Sequence, residues 1–172
     1  MAKRHPYVEL ARKAIEHYLS VGKMLPAPDD IPEDMKVKAG VFVSLKKFGI
    51  LRGCIGTFQP STDNIYTEIV QNAVSAAVRD PRFPPVSLDE LNDIDLSVDV
   101  LSPPQLVRDI NELDPKKYGI IVSKGLRRGL LLPDLKGVDT VQEQINITKS
   151  KAGIRPDEED VDIYKFTVQR FT

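Results

Sequence analysis

Residues 40–57 read GVFVSLKKFGILRGCIGT, and this stretch decides the fold. Two short runs rich in apolar and β-branched residues, 41–45 and 51–56, flank Lys46-Lys47-Phe48-Gly49, whose glycine suits a tight turn. The pattern predicts a β-hairpin. Downstream, Ile65, Ile69, Ala73 and Ala77 fall in one i,i+4 row, and Tyr66, Val70, Val74 and Val78 fall in the next. That spacing predicts a largely buried helix, with Asp63 as its cap and Pro81 as its stop. Residues 94–101 then alternate as a strand, which Pro103-Pro104 ends. The order is strand, strand, helix, strand.

The second half repeats that order. Strands at 119–123 (GIIVS) and 129–132 (GLLL) enclose a basic turn through Gly125-Leu126-Arg127-Arg128. A helix from about Thr140 to Ala152 carries the Thr140/Glu143 spacing of a capping box and has Gly153 placed to end it. A strand at 164–171 closes the series. The hairpin glycines Gly53 and Gly129 stand 76 residues apart, and the halves share almost no identities beyond their order, so any internal duplication is weak. Ahead of both halves, Pro6 opens an amphipathic helix through Val8, Ala11, Ile15, Tyr18 and Leu19 to Gly22, and PAPDDIPED at 26–34 reads as a solvated connector. The expected fold class is α+β with mainly antiparallel sheets in two lobes, near 1–105 and 106–172, contiguous or discontinuous, within a single domain.

Composition narrows the function classes. With 41% hydrophobic and 28% charged residues in 172, the chain has the make-up of a globular protein with its own core. Lys plus Arg number 24 against 25 Asp plus Glu, so no global positive field supports generic nucleic-acid binding. A single cysteine makes no internal disulfide, no apolar run is long enough to cross a bilayer, and a cytoplasmic location is expected. His5, His17 and Cys54 do not have zinc-site spacing, and the acids at 157–160 (DEED) read as a solvated run, so no metal is expected. Neither a Walker loop nor a dinucleotide fingerprint is present, and no cofactor is assigned.

The chemistry concentrates on Cys54. Regular alternation turns Leu51, Gly53, Ile55 and Thr57 to one face of the strand and Arg52, Cys54, Gly56 and Phe58 to the other. Same-face neighbours lie roughly 6.5–7 Å apart, close enough for the Arg52 guanidinium to favour a thiolate over a thiol. Glycines on both sides of the cysteine let a ligand or another segment approach the backbone. Two accounts stand side by side: a reactive or ligand-contacting thiol in a cleft, or a small apolar filler in a packed strand. Asp80 and Arg82, on the proline-stiffened DPRFPPV segment, either hold Arg52 or an anion near Cys54 or serve only a helix end. Likewise Lys124, Arg127 and Arg128 form either a phosphate contact or a solvated hairpin tip, the latter being the expectation.

LRGCIG at 51–56, with GVFVSLKK at 40–47 before it and DPRFPPV at 80–86, LSPP at 101–104 and GLLLP at 129–133 after it, closely resembles the AMMECR domain family. The resemblance implies a two-lobed α+β fold with the LRGCIG strand near an inter-lobe groove. It also implies frequent genomic company with Memo-like and radical SAM proteins. It brings no established reaction. On this footing Cys54 and Arg52 are the candidate catalytic pair, and Leu51, Gly53, Ile55, Gly56, Thr57, Asp80 and Arg82 are candidate ligand contacts. The alternative is a non-catalytic module that docks a Memo-like or radical SAM partner, with Phe48 and Phe83 on the rim of an apolar patch. Two positions depart from the family pattern: Asp134 stands where a Gln commonly follows LLLP, and Lys149 stands where a second cysteine commonly precedes KAG. A two-cysteine mechanism is therefore not expected in this chain.

Overall fold

Pro6 opens the first helix of the computed structural model, which describes residues 4–172. In this helix, α1 (Pro6–Val21), His5 is the N-cap, its side chain accepting from the Tyr7 N–H, and Gly22 ends the helix at φ 72°. Ala11, Ala14 and Ile15 on its inner face are fully buried. The hairpin follows as β1 (Val41–Lys47) and β2 (Ile50–Thr57). Its turn places Phe48 at φ 51° and Gly49 at φ 80°, the doubly left-handed turn whose twist matches that of the flanking strands. Phe48, the less usual residue there, is 76% exposed.

The buried helix is α2 (Ile65–Val78). Its cap is Asn64, not Asp63: the extended Asn64 sits immediately before the first turn and its side chain accepts from the Thr67 N–H at 2.8 Å. Asp63 is one residue too early and pairs with Lys38 at 2.9 Å instead. The returning strand β3 (Ile94–Leu101) pairs antiparallel with β1. Val41, Val43 and Leu45 of β1, with Val98 of β3, bury completely against Ile69 and Ala73 of α2. Each such side chain contributes roughly 1.5–3 kcal/mol by leaving water.

The second sheet is built from β4 (Gln105–Leu106), β5 (Gly119–Lys124), β6 (Arg127–Leu131) and β7 (Asp162–Phe166). Its helix α3 (Val141–Ala152) carries the predicted Thr140/Glu143 capping box and ends at Gly153. Ile120, Val122, Ile145 and Ile154 form its core. The strand expected at 164–171 is two strands, β7 and β8 (Val168–Phe171). Thr167 interrupts the run because its N–H donates to the Ser102 Oγ at 2.8 Å and its carbonyl accepts from the Ser102 N–H at 3.0 Å.

Strand order is β2-β1-β3-β8 in one sheet and β4-β7-β5-β6 in the other. Both therefore place the returning strand beside the first strand of the hairpin. In both, a hairpin glycine meets the following helix: a Cβ at Gly53 would collide with the Ala76 carbonyl oxygen, and one at Gly129 with that of Thr148. The chain divides into two units, Met1–Val100 with Gln169–Thr172, and Leu101–Val168. Their border falls at 100/101 where the sequence suggests 105/106, and the last residues return to the first unit.

Two charge readings change with the structure. Lys124 and Arg127 at the β5–β6 turn are not merely solvated, since both pair with Glu158, at 3.2 and 2.8 Å. Glu158, one of the DEED acids, is consequently an ion-pair hub whose carboxyl is held far below its usual range, chiefly by Arg127. Lys149 is buried, and its Nζ donates to the carbonyls of Pro156 and Glu158 at 3.1 and 2.8 Å. The position that carries a second cysteine in the family pattern thus holds a cation that ties down the 156–158 segment.

Candidate functional site

Regular pairing runs from Val41 opposite Thr57 to Leu45 opposite Gly53, and then Lys46 faces Leu51. Arg52 is the extra residue, so a β-bulge sits within the LRGCIG motif. The bulge breaks the alternation that would have put Arg52 and Cys54 on one face. Gly53, Ile55 and Thr57 face α2 with the buried side chains of β1, while Leu51, Cys54 and Gly56 lie opposite Lys46, Ser44 and Phe42 on the other face.

Cys54 is half-buried, and its Sγ lies 3.2 Å from the Ser44 Oγ. Ser44 is in turn opposite Ser97 on β3, so Cys54, Ser44 and Ser97 form one polar row across three strands. Asp80 and Arg82 come to Cys54, but to its main chain. Asp80 Oδ2 accepts from the Cys54 N–H at 3.0 Å, and Arg82 Nη2 donates to the Cys54 carbonyl at 3.2 Å. The two side chains also join each other through Arg82 Nε and Nη2, at 3.0 and 2.7 Å. The Asp80 side chain is 2% exposed and that of Arg82 54%. Hydrogen bonds from Arg82 hold the Asp80 carboxyl far below its usual range, against a burial cost that pushes it up. Arg82 is raised in return, by Asp80 first, with an attraction from Cys54 also contributing.

Arg52 does something else. Its Nε and Nη2 form a fork on Glu90 at 2.7 and 3.1 Å, and Lys47 adds a third contact to Glu90 at 3.3 Å. Arg52 pulls the Glu90 carboxyl below its ordinary value. The remaining nitrogen, Nη1, is buried without an acceptor. No hydrogen bond or ion pair joins Arg52 to Cys54 among the described residues.

The other anticipated contacts sort by face. Gly53 is buried against α2, Ile55 packs on the core, and Thr57 donates to the carboxylate of Glu68. Gly56 leaves room for the Phe42 ring, which a Cβ there would strike. Leu51 remains 38% exposed, next to Ile50 at 74% and Phe48 at 76%. Phe83 is half-buried, with the Arg82 guanidinium 5.5 Å from its ring centre. His5 is committed to capping α1 and lies 4.2 Å from the Phe171 ring, centre to centre.

Glu68, Asn72 and Glu90 escaped the sequence reading. Glu68 is buried, and its carboxylate accepts from the Ser61 N–H and hydroxyl, the Thr62 N–H and hydroxyl, and Thr57. Burial pushes its carboxyl up, but those donors outweigh it and hold the group below its usual value. Asn72 donates to the Val41 carbonyl at 2.9 Å. The one available signal was that Glu68 and Asn72, four residues apart, each directly precede a member of the apolar Ile65, Ile69, Ala73 row of α2. Together they tie the start of α2 to the end of β2 and to β1 on the inner side of the sheet. Among the described residues, no group of three His, Cys, Asp or Glu side chains is placed to hold a metal ion. No described helix is long and apolar enough to cross a membrane.

The sequence profile of the AMMECR1 family matches residues 8–171. A protein of Thermotoga maritima is 58% identical over 173 residues, a match that covers 99% of each chain. A Clostridium acetobutylicum protein is 54% identical over 170 residues, covering 98% of this chain and 36% of that longer one. The crystal structure of the uncharacterised protein PH0010 from Pyrococcus horikoshii is similar with a TM-score of 0.87 at 39% identity, covering 95% of this chain and 88% of that one. The match spans both four-stranded sheets and the motif strand alike, and this chain belongs to the AMMECR1 family.

Proposed function

We propose that the outer face of β2 is a ligand site at which Cys54 supplies a reactive or ligand-contacting thiol. The observation that carries this reading is a half-buried Sγ beside the Ser44 hydroxyl, on a strand whose backbone is clamped by Asp80 and Arg82. The clamp fixes the stretch of strand that carries the thiol. Leu51 and Gly56 share its face and are the adjoining contact residues. Asp80 and Arg82 are positioning residues here, and Arg82 is the cation that reaches Cys54. Arg52, engaged by Glu90, acts on the site through the shape of the bulge.

A second reading has its own support. Phe48, Ile50 and Leu51 leave the hairpin tip apolar and exposed, as a protein-docking module requires. The partner classes to try first are the Memo-like and radical SAM proteins suggested by the motif resemblance. On that reading Cys54 is a bystander.

Alkylation separates the two. The folded chain, treated with iodoacetamide at neutral pH, is expected to label at Cys54, as read by intact-mass and peptide mass spectrometry. A native mass spectrum of the purified protein then shows whether a small molecule stays on that residue. Labelling that appears only after denaturation refutes the thiol site and leaves docking by the hairpin tip.

A further inference from the structure

A cavity of about 450 Å³ opens in the first unit without including Cys54. Arg4, Arg12, Lys46 and Arg170 bring four cationic side chains to its wall, where Asp95 is the one acidic side chain and Thr172 also takes part. We propose that this cavity binds a small organic oxyanion, a carboxylate or phosphate ester carrying an apolar body. The inference stands apart from the chemistry of Cys54. Its volume lies within the roughly 300–1,000 Å³ typical of small-molecule sites.

Arg12 is the centre of the argument. It is partly buried on α1 and anchored to two neutral groups, the carbonyls of Leu91 and Ile94, at 3.0 and 2.6 Å. Its Nε is buried with no acceptor at all. Burial draws the guanidinium below its ordinary basicity and the like charge of Arg4 adds to this, outweighing the opposing attraction of Glu16 and Asp95. The opposite charge of a bound anion would offset both effects and give the buried Nε an acceptor. Arg4 and Lys46 are exposed, and neither forms an ion pair among the described residues, although Lys46 stands opposite Asp95 in the sheet register. Arg170 is already oriented by Asp99, through contacts of 2.8 and 2.7 Å.

The occupant's chemistry follows from the wall. Guanidinium forks match the paired oxygens of carboxylate and phosphate. The apolar part of the wall is a floor formed by Val8 and Leu96, both nearly closed off by the core, together with the aliphatic stems of the cationic side chains. Inorganic phosphate satisfies only the first requirement, and a neutral aromatic only the second.

Backbone-amide NMR titration of the full chain tests this with four probes: phenyl phosphate, phenylacetate, inorganic phosphate and benzyl alcohol. Saturable shifts are expected at Val8, Arg12, Leu96 and Ser97 with phenyl phosphate or phenylacetate, with weaker binding of inorganic phosphate and none of benzyl alcohol. Lys46→Ala and Arg4→Ala, each removing an exposed charge, should weaken binding by about fivefold. Comparing the two aromatic anions identifies the preferred headgroup. The proposal is overturned if neither gives saturable shifts, if the shifts map elsewhere, if inorganic phosphate binds as tightly, or if both substitutions leave the affinity unchanged.

Discussion

Replacing Asp80 with Ala isolates the energetic weight of the clamp on the motif strand. Four hydrogen bonds converge on this carboxylate, from the Cys54 N–H, the Arg82 N–H, and Nε and Nη2 of Arg82, at 3.0, 3.1, 3.0 and 2.7 Å. Truncation leaves the Cys54 N–H without its acceptor, a loss of about 1–3 kcal/mol for a buried donor. The Arg82 guanidinium loses its partner too, but it is 54% exposed and recovers water, so that pair is discounted to at most about 1 kcal/mol. The sum is roughly 1–4 kcal/mol, which for a chain of this size lowers Tm by about 2–16 °C. Asp80→Asn, which keeps an acceptor for the Cys54 N–H but not the charge, should cost about half as much. Thermal and urea melts followed by circular dichroism give both values.

The pH dependence has a fixed sign. Because the folded carboxyl is depressed, Asp80 contributes its stability fully above the unfolded value of about 4, and the contribution fades as pH falls through the folded value. The gap between the native protein and Asp80→Asn should therefore be widest near neutrality and shrink in acid. A cost below about 0.5 kcal/mol for Asp80→Ala at neutral pH, the range of an ordinary surface change, would refute the clamp.

Two further outcomes follow. Gly53→Ala drives a Cβ into the Ala76 carbonyl and should cost about 3 kcal/mol or more, whereas Gly49→Ala meets open space and carries only the roughly 1 kcal/mol of a left-handed φ; paired urea melts read the contrast. A double-mutant cycle on Arg52→Met and Glu90→Gln should give a coupling of about 1–2 kcal/mol while native Cys54 alkylation changes less than in Asp80→Ala, and a coupling near zero would remove the assigned pair.

The hairpin, α2 and the returning strand were legible because alternation and i,i+4 rows are local patterns. So was the cap of α3, where Thr140 and Glu143 sit three residues apart. The bulge at Arg52 was not, since one extra residue in a strand leaves the local composition unchanged and only the partner strand reveals it. The break at Thr167 was hidden for a similar reason: its partner, Ser102, lies 65 positions away. Arg52 was placed beside Cys54 because the sequence has no means of announcing Glu90, 38 residues on, as the stronger claimant. Asp80 and Arg82 do lie at Cys54, but a motif names side chains and gives no hint that the backbone is what they hold.

That backbone belongs to β2, the outermost strand of its sheet. An uncovered sheet edge is a template on which strands of other chains can add, the first step of domain swapping and fibril growth. At Cys54 the outward N–H already has its acceptor in Asp80 and the outward carbonyl has its donor in Arg82. An incoming strand finds those groups occupied and a charged pair standing where its own backbone would lie. The DPRFPP segment thus works as a guard rail against sheet extension, its prolines unable to donate the hydrogen bonds that would continue the ladder. A chain that loses Asp80 would show this in its colloidal behaviour, aggregating through β2 under conditions where the intact protein remains dispersed.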